Sequence, residues 1–221
     1  MKKRIVLALS IVIVLLLVVF GPDLLGLYRL DKFVTSSSAA YRVERGTWPH
    51  LIDECFGCHG VKGNSANQHY PSLAGQPAAY LETQLHNLAG GQRSSPNMAP
   101  LAMTMSDQEV RFYAGYFSRL TPAENRYFVA DPQLKERGRL LVTAGNCAAC
   151  HGARLMGHDQ FPRLSGQGYD YLVAQFDAFA SGRRSEPTGV MKSISVGLSP
   201  EDRKAVATWS GPTYLRTRGL S

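Results

Sequence analysis

The sequence predicts an all-α fold in which two tandem helical domains follow an N-terminal transmembrane helix. Three features indicate it: an internal duplication, helix caps followed by helically spaced apolar residues, and an apolar N-terminal run. The predicted boundaries are an anchor over residues 1–27, a tether over 28–45, a first domain over 46–126 and a second over 127–221. The tether is polar and serine-rich, which predicts a flexible segment with a reach of roughly 25 Å.

The N-terminus indicates export and membrane anchoring. Basic residues 2–4 precede an apolar run from Ile5 to Phe20, and further leucines extend it towards the roughly 20 residues that span a bilayer. A signal peptide has an apolar stretch of about 7–15 residues and a nearby small-residue cleavage site, but here the first candidate site is the distant 36–40 stretch. A retained anchor is therefore favoured, with a cleaved leader as the alternative. In both cases the basic start favours the cytoplasmic side, so the rest of the chain crosses the membrane.

The formal charge of +7 is spread along the chain. Five basic and two acidic side chains give +3 in residues 1–40, seven of each cancel in 41–126, and twelve against eight give +4 in 127–221. Nucleic-acid-binding proteins instead concentrate basic residues in one patch or stripe. We therefore do not expect a nucleic-acid partner.

Sequence motifs recur at spacings of 91 to 93 residues. The segment CFGCHG at 55–60 recurs as CAACHG at 147–152, and PSLAGQ at 71–76 recurs as PRLSGQ at 162–167. Tyrosine, glutamine, arginine and methionine residues downstream repeat in the same order. The duplication predicts two homologous domains, each built around one CxxCH motif.

Helix-start signals support the helical assignment of both repeats. Ser106 and Glu109 have the spacing of a capping box, and helically spaced apolar residues follow them. Ser199 and Pro200 occupy the matching place in the second repeat, where proline suits the first helical position.

The CxxCH motif is the attachment signature of c-type haem. Two thiols bond to the porphyrin edge, and the adjacent histidine supplies the proximal iron ligand. A redox disulfide or a four-cysteine zinc site remains an alternative, but neither explains a histidine directly after both cysteine pairs, and the pairs are too far apart for the usual zinc spacing. The predicted residues of the two covalent haem c groups are Cys55, Cys58 and His59, and Cys147, Cys150 and His151.

The repeat nominates Met98 and Met191 as the second axial ligands of the two irons. Both precede a predicted helix cap at the same spacing, whereas an isolated methionine more often fills a gap in a core. Met103 and Met105 compete in the first domain, but they align with Val196 and with a leucine, so both are predicted to be core residues.

The remaining histidines and the tryptophans have no predicted role in ligation. None of the four histidines recurs in the repeat, which favours surface or packing roles, and the tryptophans are interpreted as core or haem-pocket aromatics. These residues are His50, His69, His86, His158, Trp48 and Trp209.

The paired CxxCHG, PxLxGQ and methionine segments resemble the class I diheme cytochromes c of the cytochrome c4 family over about residues 44–210. The resemblance implies two helical cytochrome c-like haem domains facing each other. It implies that the carbonyls of Pro71 and Pro162 accept hydrogen bonds from the proximal histidines. It also implies that Gly46 and Gly138 lie where the first and last helices of each domain cross.

Two filled axial positions favour outer-sphere electron transfer over chemistry at iron, so we expect an electron-transfer protein and no enzyme. The expected role is a respiratory carrier from a quinol-oxidising cytochrome bc complex to a terminal haem-copper oxidase of cbb3 or related type. The alternatives are a cytochrome subunit of a periplasmic dehydrogenase or reductase complex, and a diheme enzyme with an open iron. The expected location is the bacterial inner membrane, with a single pass and the haem domains in the periplasm.

Overall fold

Residues 2–45 and 52–210 are described by the computed structural model, and in these residues the chain is helical with no β-strand. The all-α prediction is therefore confirmed for this part of the chain. The helices are α1 (Lys2–Arg45), α2 (Asp53–His59), α3 (Ala78–Ala89), α4 (Met98–Met103), α5 (Asp107–Ser118), α6 (Pro132–Ala144), α7 (Ala148–His151), α8 (Tyr169–Ala180), α9 (Val190–Gly197) and α10 (Pro200–Thr208), with a 3₁₀ turn at Val61–Gly63.

The N-terminal segment is one continuous helix, α1, which belongs to a unit of its own, Met1–Leu51. Residues 28–45, for which the sequence predicts a flexible tether, are helical in the structure, and their role as a tether stays a prediction. This stretch contains no glycine or proline to interrupt a helix, and the Ser36 hydroxyl donates to the Phe33 carbonyl at 3.1 Å, a bond that satisfies serine within a helix. Among the described residues, no helix has the length and apolar content of a membrane span, so the anchor predicted for residues 1–27 is not supported by the structure.

The first domain packs helices α2, α3 and α5 around a small apolar core. The capping box predicted for α5 is confirmed: the Ser106 hydroxyl accepts a hydrogen bond from the Glu109 N–H at 3.3 Å, and the Glu109 carboxylate accepts one from the Ser106 N–H at 2.8 Å. The cap fixes where α5 begins, and so which face of α5 is buried. The core residues are Ile52, Leu81, Tyr113, Ala114 and Phe117.

In the second domain α8 and α10 take the places of α3 and α5, and α6 packs against α10. Ser199 caps α10 and Pro200 occupies its first turn, as predicted. Gly138 lies where α6 crosses α10: a Cβ at this position would overlap the Ala205 carbonyl oxygen and lie 2.9 Å from the Trp209 Cβ. The prediction for Gly138 is confirmed, while its counterpart Gly46 lies outside the described residues.

The two domains form one compact unit, Ile52–Ser221, and exchange a symmetric pair of amide contacts. The Gln76 side chain accepts from the Arg163 N–H at 2.9 Å and donates to the Arg163 carbonyl at 2.8 Å. The Gln167 side chain does the same to Ser72, with distances of 2.9 and 2.8 Å. All four residues are buried, and the two pairs occupy equivalent places in the repeat.

A second symmetric contact surrounds two arginines at the same interface. Each guanidinium donates to a glutamine of its own domain and to a tyrosine hydroxyl of the other domain. Because every acceptor is neutral, these contacts fix geometry without forming ion pairs. The bonds run from Arg93 to Gln84 (3.0 Å) and Tyr171 (3.0 Å), and from Arg184 to Gln175 (2.7 Å) and Tyr80 (3.0 Å).

A contact at the start of α8 is among those between the domains that do not follow this symmetry. The first backbone N–H groups of a helix have no partner within the helix. At the start of α8 the first domain supplies acceptors: the Gln68 side chain accepts from the Tyr169 N–H at 2.9 Å, and the Gln68 carbonyl accepts from the Tyr171 N–H at 2.8 Å. The first domain therefore caps a helix of the second.

Candidate haem sites

The first candidate site is built on the short helix α2. Cys55, Cys58 and His59 occupy its last turns, and Gly60 then takes a positive φ of 76°, which ends the helix directly after the histidine. The buried His59 ring places Nδ1 2.7 Å from the Pro71 carbonyl oxygen. Because a carbonyl only accepts, Nδ1 carries the proton and Nε2 keeps the lone pair that an iron needs.

The second site repeats this geometry. Cys147 precedes α7, Cys150 and His151 lie within it, and Gly152 follows with a φ of 80°. Nδ1 of the buried His151 lies 2.8 Å from the Pro162 carbonyl oxygen. Both proline carbonyls therefore bond the proximal histidines as the sequence resemblance implied.

Burial shapes the protonation of these groups. Desolvation lowers the pKa of His59 and His151 below the usual histidine value, against the opposing hydrogen bonds to the proline carbonyls. Both imidazoles are therefore neutral at pH 7, the state in which histidine binds a metal. Burial and the nearby Glu54 raise the pKa of the Cys55 thiol to about 11, and burial also raises the pKa of Cys147.

The alternatives for the cysteine pairs find no support in the described residues. No disulfide joins the four cysteines there, and no group of three or more histidine, cysteine, aspartate or glutamate side chains converges as a metal site would require. A four-cysteine zinc site would need all the thiols in one place. The donor set instead consists of two separate units, each with two thiols and one oriented imidazole, which fits two haem c groups.

Met98 and Met191 lie in two short helices, one in each domain. Met98 begins α4, and Met191 lies in the first turn of α9, where it packs against the core of the second domain, as Cys147 also does. Both side chains are half-buried. Their backbone N–H groups are held by the Ser95 hydroxyl and the Glu186 carboxylate, at 3.2 and 3.0 Å. Their assignment as axial ligands stays a prediction.

The two competing methionines, Met103 and Met105, have different environments in the structure. Met105 packs against the first core, as predicted. Met103 is 68% exposed, so its prediction as a core residue is wrong. Met98 and Met103 are five positions apart on α4, about 140° around the helix axis, which turns them to different faces.

The other histidines that the structure describes are exposed, which confirms the prediction of surface roles for them. His69 lies 3.6 Å from Asp170, and His158 lies 3.1 Å from Asp159. His86 is exposed in the last turn of α3. Trp209 packs against the core of the second domain, as predicted. The predictions for His50 and Trp48 fall outside the described residues.

Comparison with known proteins identifies the class. A model of the family described as "Cytochrome c" matches the chain twice, over residues 50–126 and 135–209. Each match contains one CxxCH site and one oriented histidine. The molecule is therefore a diheme c-type cytochrome with two covalently bound haem c groups.

Individual relatives narrow this class. The cytochrome c4 of Pseudomonas aeruginosa is 33% identical over 166 residues, which cover 70% of this chain and 81% of that protein. A "Thiosulfate dehydrogenase electron acceptor" from Thiomonas intermedia is 33% identical over 189 residues, covering 80% of this chain and 87% of its own. The crystal structure of reduced recombinant cytochrome c4 from Pseudomonas stutzeri has a TM-score of 0.68 at 30% identity, over 73% of this chain and 94% of that one. The chain belongs to the cytochrome c4 family.

The residues that join the two domains were not predicted from the sequence. Gln76, Gln167 and Arg163 belong to a motif that the repeat had already marked, but the motif alone does not show what it contacts. The signal that could have found them is that both copies of the motif end in glutamine. A buried glutamine side chain needs a hydrogen-bond partner, so its recurrence indicates a conserved type of contact within the repeat.

Proposed function

We propose that this diheme electron carrier takes electrons from a quinol-oxidising cytochrome bc complex and delivers them to a terminal haem-copper oxidase of cbb3 or related type. The observation that carries the proposal is the pair of sites, each with an oriented histidine and a half-buried methionine in the same domain. With histidine and methionine on one iron, no position is left for a substrate. Methionine also favours reduced iron and so raises the potential, which suits transfer towards an oxidase.

The interface supports a relay within one molecule. Buried amide contacts and the arginine contacts hold the two haem domains in a single unit. A fixed arrangement keeps the distance between the two sites constant, so an electron can enter through one domain and leave through the other.

Surface charge supports different docking faces for donor and acceptor. Residues 127–221, which form the second domain, carry a formal +4, whereas residues 41–126 carry no net charge, before haem propionates are counted. Charge of this kind affects association rate and orientation more than affinity. We therefore assign the more basic second domain to an acidic partner surface.

Membrane attachment and a periplasmic location are part of the proposal and rest on the sequence. The basic residues 2–4 and the apolar run from Ile5 to Phe20 have the order of an inner-membrane anchor. N-terminal sequencing of the mature protein from washed membranes tests this. A mature start near Ala40, or release of the protein by osmotic shock, would refute the anchor.

A second candidate is the electron acceptor of a periplasmic dehydrogenase. It is favoured by the similarity to the Thiomonas intermedia protein, whose description names thiosulfate dehydrogenase. The two candidates share the same haem chemistry and differ in their electron donor. Reduction of the purified protein by a co-purifying dehydrogenase and its substrate, faster than by quinol and the bc complex, would favour this second role.

The test of the respiratory role is turnover in membranes that lack the protein. Quinol-driven oxygen uptake should fall, recover when the full chain is added back, and recover less as salt screens exposed charges. Lys192→Glu in the second domain should slow the recovery more than Arg111→Glu in the first, although both exposed residues change the charge by the same amount. Unchanged oxygen uptake in the depleted membranes would contradict the proposal.

A further inference from the structure

Arg163 is a buried cation at the interface of the two haem domains. Its side chain is 1% exposed, which makes it one of the most deeply buried residues described. Its Nη2 donates to the Ser72 carbonyl of the other domain at 3.2 Å, and its Nη1 donates to the Ser165 carbonyl. The guanidinium therefore lies between backbone segments that both follow a histidine-bonding proline, Pro71 in one domain and Pro162 in the other.

Within residues 52–210 Arg163 forms no ion pair with an aspartate or glutamate, because the ion pairs there involve other partners. The segment 211–221 of the same unit contains no acidic residue. Burial alone lowers the pKa of Arg163 to about 10, with no opposing charge, so the group remains protonated at pH 7. An unpaired buried charge is costly, and such charges are normally paired or neutralised.

One donor of the guanidinium is left over. Nε of Arg163 is buried and has no hydrogen-bond acceptor among the described residues. The other two interface arginines differ, because Arg93 and Arg184 each bond several side-chain oxygens. A buried N–H without an acceptor is rare, and a charged N–H forms its strongest hydrogen bonds with anions.

The position also breaks the repeat. Ser72 occupies the place of Arg163 in the first domain, although the backbone contacts at both positions are the same. The reciprocal backbone contacts therefore form with either side chain at this position, so they do not require a cation.

We propose that Arg163 binds a propionate carboxylate of a bound haem through its Nε–H and raises the midpoint potential of that haem. The propionates are the anions that the two haem groups bring to the protein. In the one-electron step Fe(III) becomes Fe(II) and no other bond changes. A propionate neutralised by a fixed cation stabilises Fe(III) less, so the reduced state is favoured. The proposal rests on the two haem groups and not on the identity of the redox partners.

Redox titration of the purified holoprotein tests the effect on potential. Arg163→Met should shift the reduction equilibrium of at least one haem about tenfold towards Fe(III), which is 59 mV for a one-electron couple. Arg163→Lys keeps the charge and should retain most of the wild-type potential. Arg183→Met removes the same charge from an exposed position and is the matched control. The proposal would be overturned if the midpoint potentials of Arg163→Met differed from those of the wild type by no more than the potentials of Arg183→Met do.

A crystal structure of the wild-type holoprotein gives a test that does not depend on a variant folding. We expect a haem carboxylate oxygen within about 3 Å of Arg163 Nε. A water molecule alone at this donor, or a protein acceptor, would overturn the assignment. Since neither measurement uses a partner protein, failure here is distinguishable from failure of the respiratory role.

Discussion

Removing either interface glutamine should destabilise the diheme unit, and the structure ranks the two changes. In Gln76→Leu, both the N–H and the carbonyl of Arg163 lose their partner in a buried place. In Gln167→Leu, only the Ser72 N–H is orphaned, because the Ser72 carbonyl keeps its bond from the Arg163 guanidinium. An orphaned buried group costs about 1–3 kcal/mol, so we expect losses of about 2–6 kcal/mol for Gln76→Leu and about 1–3 kcal/mol for Gln167→Leu.

The assay is urea unfolding of the holoprotein followed by circular dichroism. The control is Gln108→Leu at an exposed position of α5, which should change the free energy of unfolding by less than about 0.5 kcal/mol. Equal losses for the two interface variants, or the reverse order, would refute the reasoning that the orphaned backbone groups determine the cost.

Three further predictions concern the haem sites and the packing around them. The intact mass should exceed that of the polypeptide by two haem groups; one haem, or bound zinc, would contradict the assignment. Met98→Ala and Met191→Ala should each lower one haem potential and open that iron to small ligands, whereas the exposed Met103→Ala should do neither; a Met103 effect without a Met98 effect would reverse the assignment. Gly138→Ala should lower the free energy of unfolding by about 1–3 kcal/mol through overpacking at the helix crossing. Gly115→Ala, which meets only the end of the Arg119 side chain, should be neutral or slightly stabilising. Equal stabilities of these two variants would show that the crossing can open at no cost.

The sequence predicted those features that depend on a few neighbouring residues with a fixed geometry. The Ser106 cap, the proline at the start of α10 and the tight crossing at Gly138 each depend on a few residues and a fixed geometry. The CxxCH histidines follow for the same reason, since their spacing to the cysteines is set by attachment to one porphyrin edge.

The structure differs from the sequence predictions in three places, two of which depend on packing or on distant segments. Met103 has the chemistry of a core residue, but α4 is short and turns this side chain to solvent. Residues 28–45 have a polar composition, which says less about helix formation than the absence of glycine and proline does. The partner of Gln76 is a backbone group 87 residues away, and nothing in the sequence near either residue marks that pairing.

The reciprocal amide contacts bear on how the two halves of a duplicated protein can diverge. Gln76 and Gln167 recognise only main-chain atoms of the opposite domain, so docking does not depend on which side chain those positions carry. One copy can then hold serine and the other arginine while the halves still assemble in the same way. Recognition through the main chain thus leaves two buried side chains available for change, and a gene duplication that began as two equal sites can acquire different electronic properties at each.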